Sequence, residues 1–219
     1  MCGRYTITKS IEEICNTFKV EPNNQIFSPM YNITPNQKLP IITNQNQNQL
    51  SFMHWGLVPF WAKDIKISNK LINSRLETIS EKPSFKYAVE KRRCLVISDG
   101  YYEWKNNDND KIPYRITIKD EKLFSMAGIW EIWTSDNNNP YYSFSILTKQ
   151  ANEQLSNIHH RMPAILTKEQ RNTWLNEIDT NKAISIIKES PFLEMKYHEV
   201  SKAVNTPNNN YKDLVIPIS

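Results

Sequence analysis

Short apolar segments that alternate with polar residues, joined by polar turns, limit this fold more than any other feature of the chain. Leu39–Thr43, Leu50–Val58, Cys94–Ser98, Tyr114–Ile118, Phe124–Trp130 and Tyr142–Thr148 each have the length and pattern of a strand. Period-two alternation sends one row of side chains to a core and the next to solvent. The polar stretches 44–49, 106–111 and 135–139 read as hairpin tips, which favours antiparallel neighbours. Cys94–Ser98 is a buried apolar strand that ends in a turn at Asp99-Gly100. Helices are fewer. Ser10 to Lys19 places Ile11, Ile14, Cys15 and Phe18 on one face, and Ser10 with Glu13 forms a capping box. Further helices are expected near 84–91, 150–157 and 181–189, and Thr167 with Gln170 caps one that carries Trp174. No internal repeat or linker divides the chain. The pattern predicts a single α+β domain over 1–219, with an antiparallel or mixed β-sheet curled toward a barrel and helices flanking it.

Three cysteines, Cys2, Cys15 and Cys94, make an odd number without a C-x-x-C pair. This argues against a disulfide framework and a cysteine zinc site. Reduced thiols point to the cytosol or nucleus. No apolar run approaches a membrane span and no signal pattern opens the chain, so a soluble intracellular protein is expected. The net charge of +4 permits nucleic-acid binding without requiring it.

The chemistry begins at Met1-Cys2-Gly3-Arg4-Tyr5. A small residue after the initiator favours removal of Met1. Cys2 would then carry a free α-amine and a thiol, and the pair can attack one aldehyde twice. The amine gives an imine and sulfur closes a five-membered thiazolidine. An α-amine has a pKa of about 8, so part of it is neutral at pH 7, unlike a lysine amine. The competing reading makes Cys2 a small apolar residue at a chain end.

Other groups can serve that chemistry. Glu103 lies just past a buried strand, between Tyr102 and Trp104. Aromatic neighbours would desolvate it and raise its pKa into the range for proton transfer; a solvated rim position is the alternative. His159 and His160 precede Arg161, and a histidine there can shuttle protons or simply pack. No third ligand stands at metal spacing, so no metal is expected. Asn73 and Arg75 alternate on an extended stretch and point to one side. Arg4, Arg75 and Arg161 are candidate phosphate forks, or else solvated arginines. Trp61 and Trp104 can stack on unpaired bases, whereas Trp55, Trp130, Trp133 and Trp174 suit a core.

Taken together, these residues resemble the SRAP (SOS-response-associated peptidase) family of abasic-site-processing proteins. The resemblance runs nearly end to end. It is carried by Met1–Tyr5, Trp55-Gly56-Leu57-Val58-Pro59 with Trp61, and Asn73-Ser74-Arg75-Leu76-Glu77-Thr78. Arg93–Val96 through Asp99-Gly100-Tyr101-Tyr102-Glu103-Trp104, Ala127–Glu131, Ile158–Pro163 and Val200 to Asn205 complete it. The resemblance implies the SRAP fold and the capture of abasic sites in single-stranded DNA and at single-strand/duplex junctions. Cys2 would form a thiazolidine DNA–protein cross-link with the ring-opened sugar, and the chain would remove its own Met1. By matching position, Asn73, Glu103 and His159 would be the active-site partners of Cys2. Arg4, Trp61, Arg75, Trp104 and Arg161 would hold DNA. The sequence departs from the family pattern at His160, where Asp is usual, at Ser74 for Ala, and at His54 for a basic residue.

The resemblance further implies a DNA-damage role without cofactor or membrane, possible lyase-type chemistry, a monomer, and a cytoplasmic (nucleoid-associated) or nuclear setting. Two other classes compete. One is an N-terminal-cysteine amidohydrolase or peptidase, which would turn over an amide substrate without DNA. The other is a noncatalytic single-stranded DNA-binding protein in which Cys2 is incidental.

Overall fold

Thirteen strands and five α-helices follow in order in the computed structural model, which describes residues 2–108, 110–135, 138–189, 191 and 193–218. The expected removal of Met1 concerns a residue outside that set, as do parts of the turns 106–111 and 135–139. The first half of the chain contains β1 (Arg4–Ile7), α1 (Ile11–Phe18), β2 (Met30–Ile33), β3 (Lys38–Thr43), β4 (Ser51–Trp55), β5 (Asn73–Arg75), α2 (Lys86–Lys91), β6 (Arg93–Ser98) and β7 (Gly100–Asn107). The second contains β8 (Asp110–Ile118), β9 (Phe124–Thr134), β10 (Pro140–Gln150), α3 (Glu153–Ser156), β11 (Arg161–Pro163), β12 (Ile165–Leu166), α4 (Lys168–Asn176), α5 (Thr180–Lys188) and β13 (Met195–Glu199). Single 3-10 segments cover Ile65–Lys70, Lys202–Asn205 and Lys212–Val215.

The expected barrel is present. β10 pairs with β9 on one side and with β4 on the other, and β4, β3, β6 and β9 complete a closed ring of five strands. Closure removes the open edges that alternating strands would otherwise expose. Ile41, Val96, Ile129, Phe144 and Ile146 from these strands are buried in the core. Because β10 runs on past the ring, its end also accepts β5 in parallel and β11 antiparallel. A second, five-stranded antiparallel sheet has the order β13-β8-β7-β1-β2. The mixed sheet therefore follows from one long strand serving several neighbours.

Local signals held where side chain and backbone are close in sequence. Ser10 and Thr167 make reciprocal capping boxes with Glu13 and Gln170 on α1 and α4. The helix expected over 150–157 is one turn, with Asn152 as its cap. The strand expected to reach Val58 stops at Trp55, because Gly56 takes φ +125°, a conformation side chains avoid.

The turn expected at Asp99-Gly100 is instead the step from the barrel into the second sheet, where Gly100 opens β7. Asp99 fixes this step. Its amide donates to the Thr6 carbonyl at 3.1 Å, and its carboxylate accepts from the hydroxyls of Thr6 and Thr8 and from the Thr8 amide. Arg115 adds an ion pair at 3.4 Å. Glu103 consequently sits within a strand rather than beyond one.

Gly128 marks the tightest approach in the barrel wall. A Cβ there would lie 2.7 Å from Val96 Cγ2 and 2.8 Å from Cys94 Sγ. Gly128→Ala is therefore expected to lower stability by about 1–3 kcal/mol through overpacking. Its urea midpoint should fall below that of the wild type; an unchanged midpoint would show that the wall yields freely.

Candidate active site

Three separate parts of the fold deliver the candidate groups. β1 pairs antiparallel with β7, with Arg4 opposite Tyr102 and Tyr5 opposite Tyr101. This places the start of the chain beside Glu103 on β7. β5 lies parallel on β10, with Asn73 opposite Ile146. Short β11 pairs with the end of β10, with Arg161 opposite Gln150, and so brings His159 just ahead of it.

The Asn73 side-chain amide donates to the Cys2 carbonyl at 2.8 Å. That bond ties the barrel-side strand to the first residues of the second sheet. The Asn73 Oδ1 atom is buried and has no hydrogen-bond partner among the described residues. Cys2 is fully buried, and its thiol lies 3.9 Å from the Arg4 carbonyl. Burial pushes that thiol far above the ordinary cysteine range, and the Glu103 carboxylate pushes it the same way. Tyr5 and Tyr101, both fully buried, feel the thiol's charge and are raised as well, again chiefly by burial.

Glu103 is 3% exposed, and burial lifts its carboxyl to about 7. Desolvation, not a rim position, therefore describes it. It shares a cleft of about 490 Å³ with Arg4, Trp104, Asn106, Lys111, His159 and Asn205. His159 accepts the Arg161 amide proton on Nδ1 at 2.9 Å. Its neutral ring thus carries the proton on Nε2. Burial holds its pKa below the usual value, with His160 and Arg161 adding to the effect. The ring of exposed His160 stacks on it at 4.3 Å.

The other expected contacts separate. Trp104 lines the cleft and Arg4 joins it from β1. Trp61 is 47% exposed, does not line this cleft, and donates to the Pro83 carbonyl at 3.4 Å. Arg75 is exposed on β5, one alternation from Asn73. Arg161 is engaged by a carboxylate: it forms a two-pronged bridge to Glu77 at 2.6 and 2.9 Å and also donates to Thr148. Trp55, Trp130 and Trp174 are buried, while Trp133 is half-buried and donates to the Ala62 carbonyl. Sequence reasoning did not single out Asn106, Lys111 or Asn205 for the cleft, nor Glu77 for the bridge. Polar character alone carries no signal; of these residues Asn205 and Glu77 lie within the family-like motifs.

Among the described residues, no group of three or more His, Cys, Asp or Glu side chains is placed to hold a metal ion. No helix there is long and apolar enough to cross a membrane.

Comparison with known proteins places this arrangement in context. The family described as SOS response associated peptidase (SRAP) matches residues 1–207. The abasic site processing protein YoqW of Bacillus subtilis is 40% identical over 222 residues, covering 98% of this chain and 99% of that protein. The abasic site processing protein HMCES of Gallus gallus is 33% identical, covering 88% of this chain and 67% of that protein. A crystal structure of a Bacteroides thetaiotaomicron protein superposes with a TM-score of 0.89 at 30% identity, covering 100% of both chains.

The burial of Glu103 has a measurable consequence. A carboxyl raised from 4.5 to about 7 favours the folded state when protonated and opposes it when ionised. Its contribution is therefore best below pH 4.5 and is lost as pH rises through about 7. The difference amounts to about 3 kcal/mol at most. Glu103→Gln should melt above the wild type at pH 8 and converge with it near pH 4. Equal melting curves at both pH values would place the carboxylate in water.

Proposed function

The chain belongs to the SOS response associated peptidase (SRAP) family, and from that membership we propose that it captures abasic sites in single-stranded DNA through Cys2. The observation that carries the reading is the convergence on the chain's start. An amide grips the Cys2 carbonyl, and a buried carboxyl with a pKa of about 7 acts on the Cys2 thiol. That carboxyl and an imidazole line one cleft. Relatives named as abasic site processing proteins support the lesion as substrate.

The chemistry has two stages. First, water cleaves the Met1–Cys2 peptide bond, releasing methionine and leaving an α-amine on Cys2. Second, the abasic sugar opens to its C1′ aldehyde. The amine nitrogen adds to that carbon, and loss of one water gives an imine. The thiol then adds across the C=N bond: sulfur bonds to C1′, its proton passes to nitrogen, and the ring closes. The second stage releases one water.

Each group has a task in this scheme. Glu103, half protonated near pH 7, delivers a proton to the sugar ring oxygen and later helps expel water. The Asn73 amide holds the Cys2 carbonyl, and its Oδ1 accepts an N–H of the α-amine, which orients the lone pair toward the aldehyde. His159, neutral with its proton on Nε2, donates to and recovers protons from the opening sugar. Holding the sugar next to Cys2, which lies beside this cleft and not in its lining, supplies a large share of the rate. Arg4 and Arg75 meet flanking phosphates, Arg161 does so in exchange for Glu77, and Trp104 and Trp61 stack on bases. Binding should then weaken steeply with salt.

Purified protein mixed with an abasic single-stranded oligonucleotide should give a heat-stable shifted band. Cys2→Ala should abolish that band yet keep noncovalent binding. Glu103→Gln should slow band formation by about a hundredfold or more, the range for loss of a general acid. A Cys2→Ala protein that cross-links as well as the wild type would remove the thiol from the mechanism.

A further inference from the structure

Asn205, from the last part of the chain, lines the cleft with His159. The 3-10 turn Lys202–Asn205 follows β13 and is pinned from three directions. Asn32 on β2 is 1% exposed, and its side-chain nitrogen donates to the carbonyls of Val204, Thr206 and Asn209 at 3.2, 3.1 and 2.8 Å. Its side-chain oxygen accepts from Arg4 Nη1 at 2.7 Å. Arg4 in turn donates to the carbonyls of Val204 and Asn205. Lys202 pairs with Asp110 at the tip of the β7–β8 hairpin. Tyr102 donates to the Tyr31 carbonyl at 2.8 Å and packs with Val200, Val204 and Leu214 beneath the turn.

A buried amide whose two N–H groups are shared among three carbonyls, and whose oxygen accepts from Arg4, ties the turn to β2, because leaving that amide unsatisfied in the interior is costly. The turn presents the Asn205 side chain to Trp104, and the indole Nε1 donates to Asn205 Oδ1 at 2.7 Å. Both residues line the cleft that holds Glu103 and His159. An indole has one N–H; once that bond is made, the ring plane is set and the ring is held against rotation.

We propose that Asn205 is a positioning residue for DNA: it fixes the Trp104 ring so that a base next to the reacting nucleotide stacks on its face. The inference rests on the reading of this cleft as a single-stranded DNA site. Acting through Trp104, Asn205 governs how well the strand is seated and not the rate of bond formation once it is seated. Because the contact is uncharged, its loss leaves the phosphate contacts alone.

The test measures binding of a fluorescent, undamaged single-stranded oligonucleotide to the Cys2→Ala protein across a salt series. Adding Asn205→Ala should raise Kd about fivefold, the worth of one neutral hydrogen bond, with the slope of log Kd against log salt unchanged. Trp104→Phe, which keeps an aromatic face but lacks the N–H, should lose a similar factor. The double variant should lose no more than either one alone, as expected for two partners in one contact. In the Cys2 background with abasic oligonucleotide, Asn205→Ala should raise the half-saturating concentration by the same factor and leave the saturating cross-linking rate unchanged. An unchanged Kd, losses that multiply in the double variant, a shallower salt slope, or a lower saturating rate each overturns the proposal. Failure of the wild type to cross-link, with the Kd pattern intact in Cys2→Ala, would remove covalent capture and leave the role of Asn205 standing.

Discussion

One contact joins the two sheets of this fold at the candidate site: the amide of Asn73, on the short strand β5 that pairs with β10, against the carbonyl of Cys2. For that bond to form, β1 must lie on β7 in its observed register and β5 must lie along β10. The Asp99 step between the sheets sets the first condition, and the overrun of β10 beyond the closed ring sets the second. Much of the architecture thus exists to bring residue 2 against residues 73 and 103.

Burial then decides the charge state of the site. It raises the Cys2 thiol, raises Glu103 to about 7 and lowers His159. All three shifts favour the uncharged form. A neutral thiol is a poor nucleophile, so the proposed capture has nitrogen attack first and sulfur second. In that proposed order the thiol's proton passes to the imine nitrogen as sulfur closes the ring. On the proposed reading, with Glu103 partly protonated and His159 neutral, the positive side chains of the cleft are Arg4 and Lys111, which suit a phosphate backbone.

Much of the fold was legible in the chain. The alternating segments gave six of the strands, and the capping boxes at Ser10 and Thr167 located two helices, because both signals are local. β7 and β13 escaped because Glu103, Lys105, His198 and Glu199 interrupt their apolar pattern, and their pairing with β8 replaces what periodicity lacks. Within the site, the residue pattern marks Glu103, the His159-His160 pair and the Asn73/Arg75 alternation, and only the family resemblance selects Asn73, Glu103 and His159; the fold brings Asn73 to the Cys2 carbonyl and Glu103 with His159 to one cleft. The partners of the arginines were not readable. Glu77 lies 84 residues from Arg161, and Val204 lies 200 residues from Arg4, so only tertiary structure pairs them. Asn32 gave no sign of being a hub, since its four partners are carbonyls and a guanidinium spread over the chain's two ends.

The central claim is that nitrogen and sulfur of one residue both bond to one sugar carbon, and mass spectrometry of the intact adduct with and without borohydride tests it most directly. An imine and a thiazolidine are isomers, but only the imine takes up two hydrogens on reduction. The account predicts a protein lacking Met1 whose adduct equals the sum of protein and abasic oligonucleotide less one water, unaltered by borohydride. An adduct that gains two hydrogens, or one formed with Met1 still attached, would contradict it.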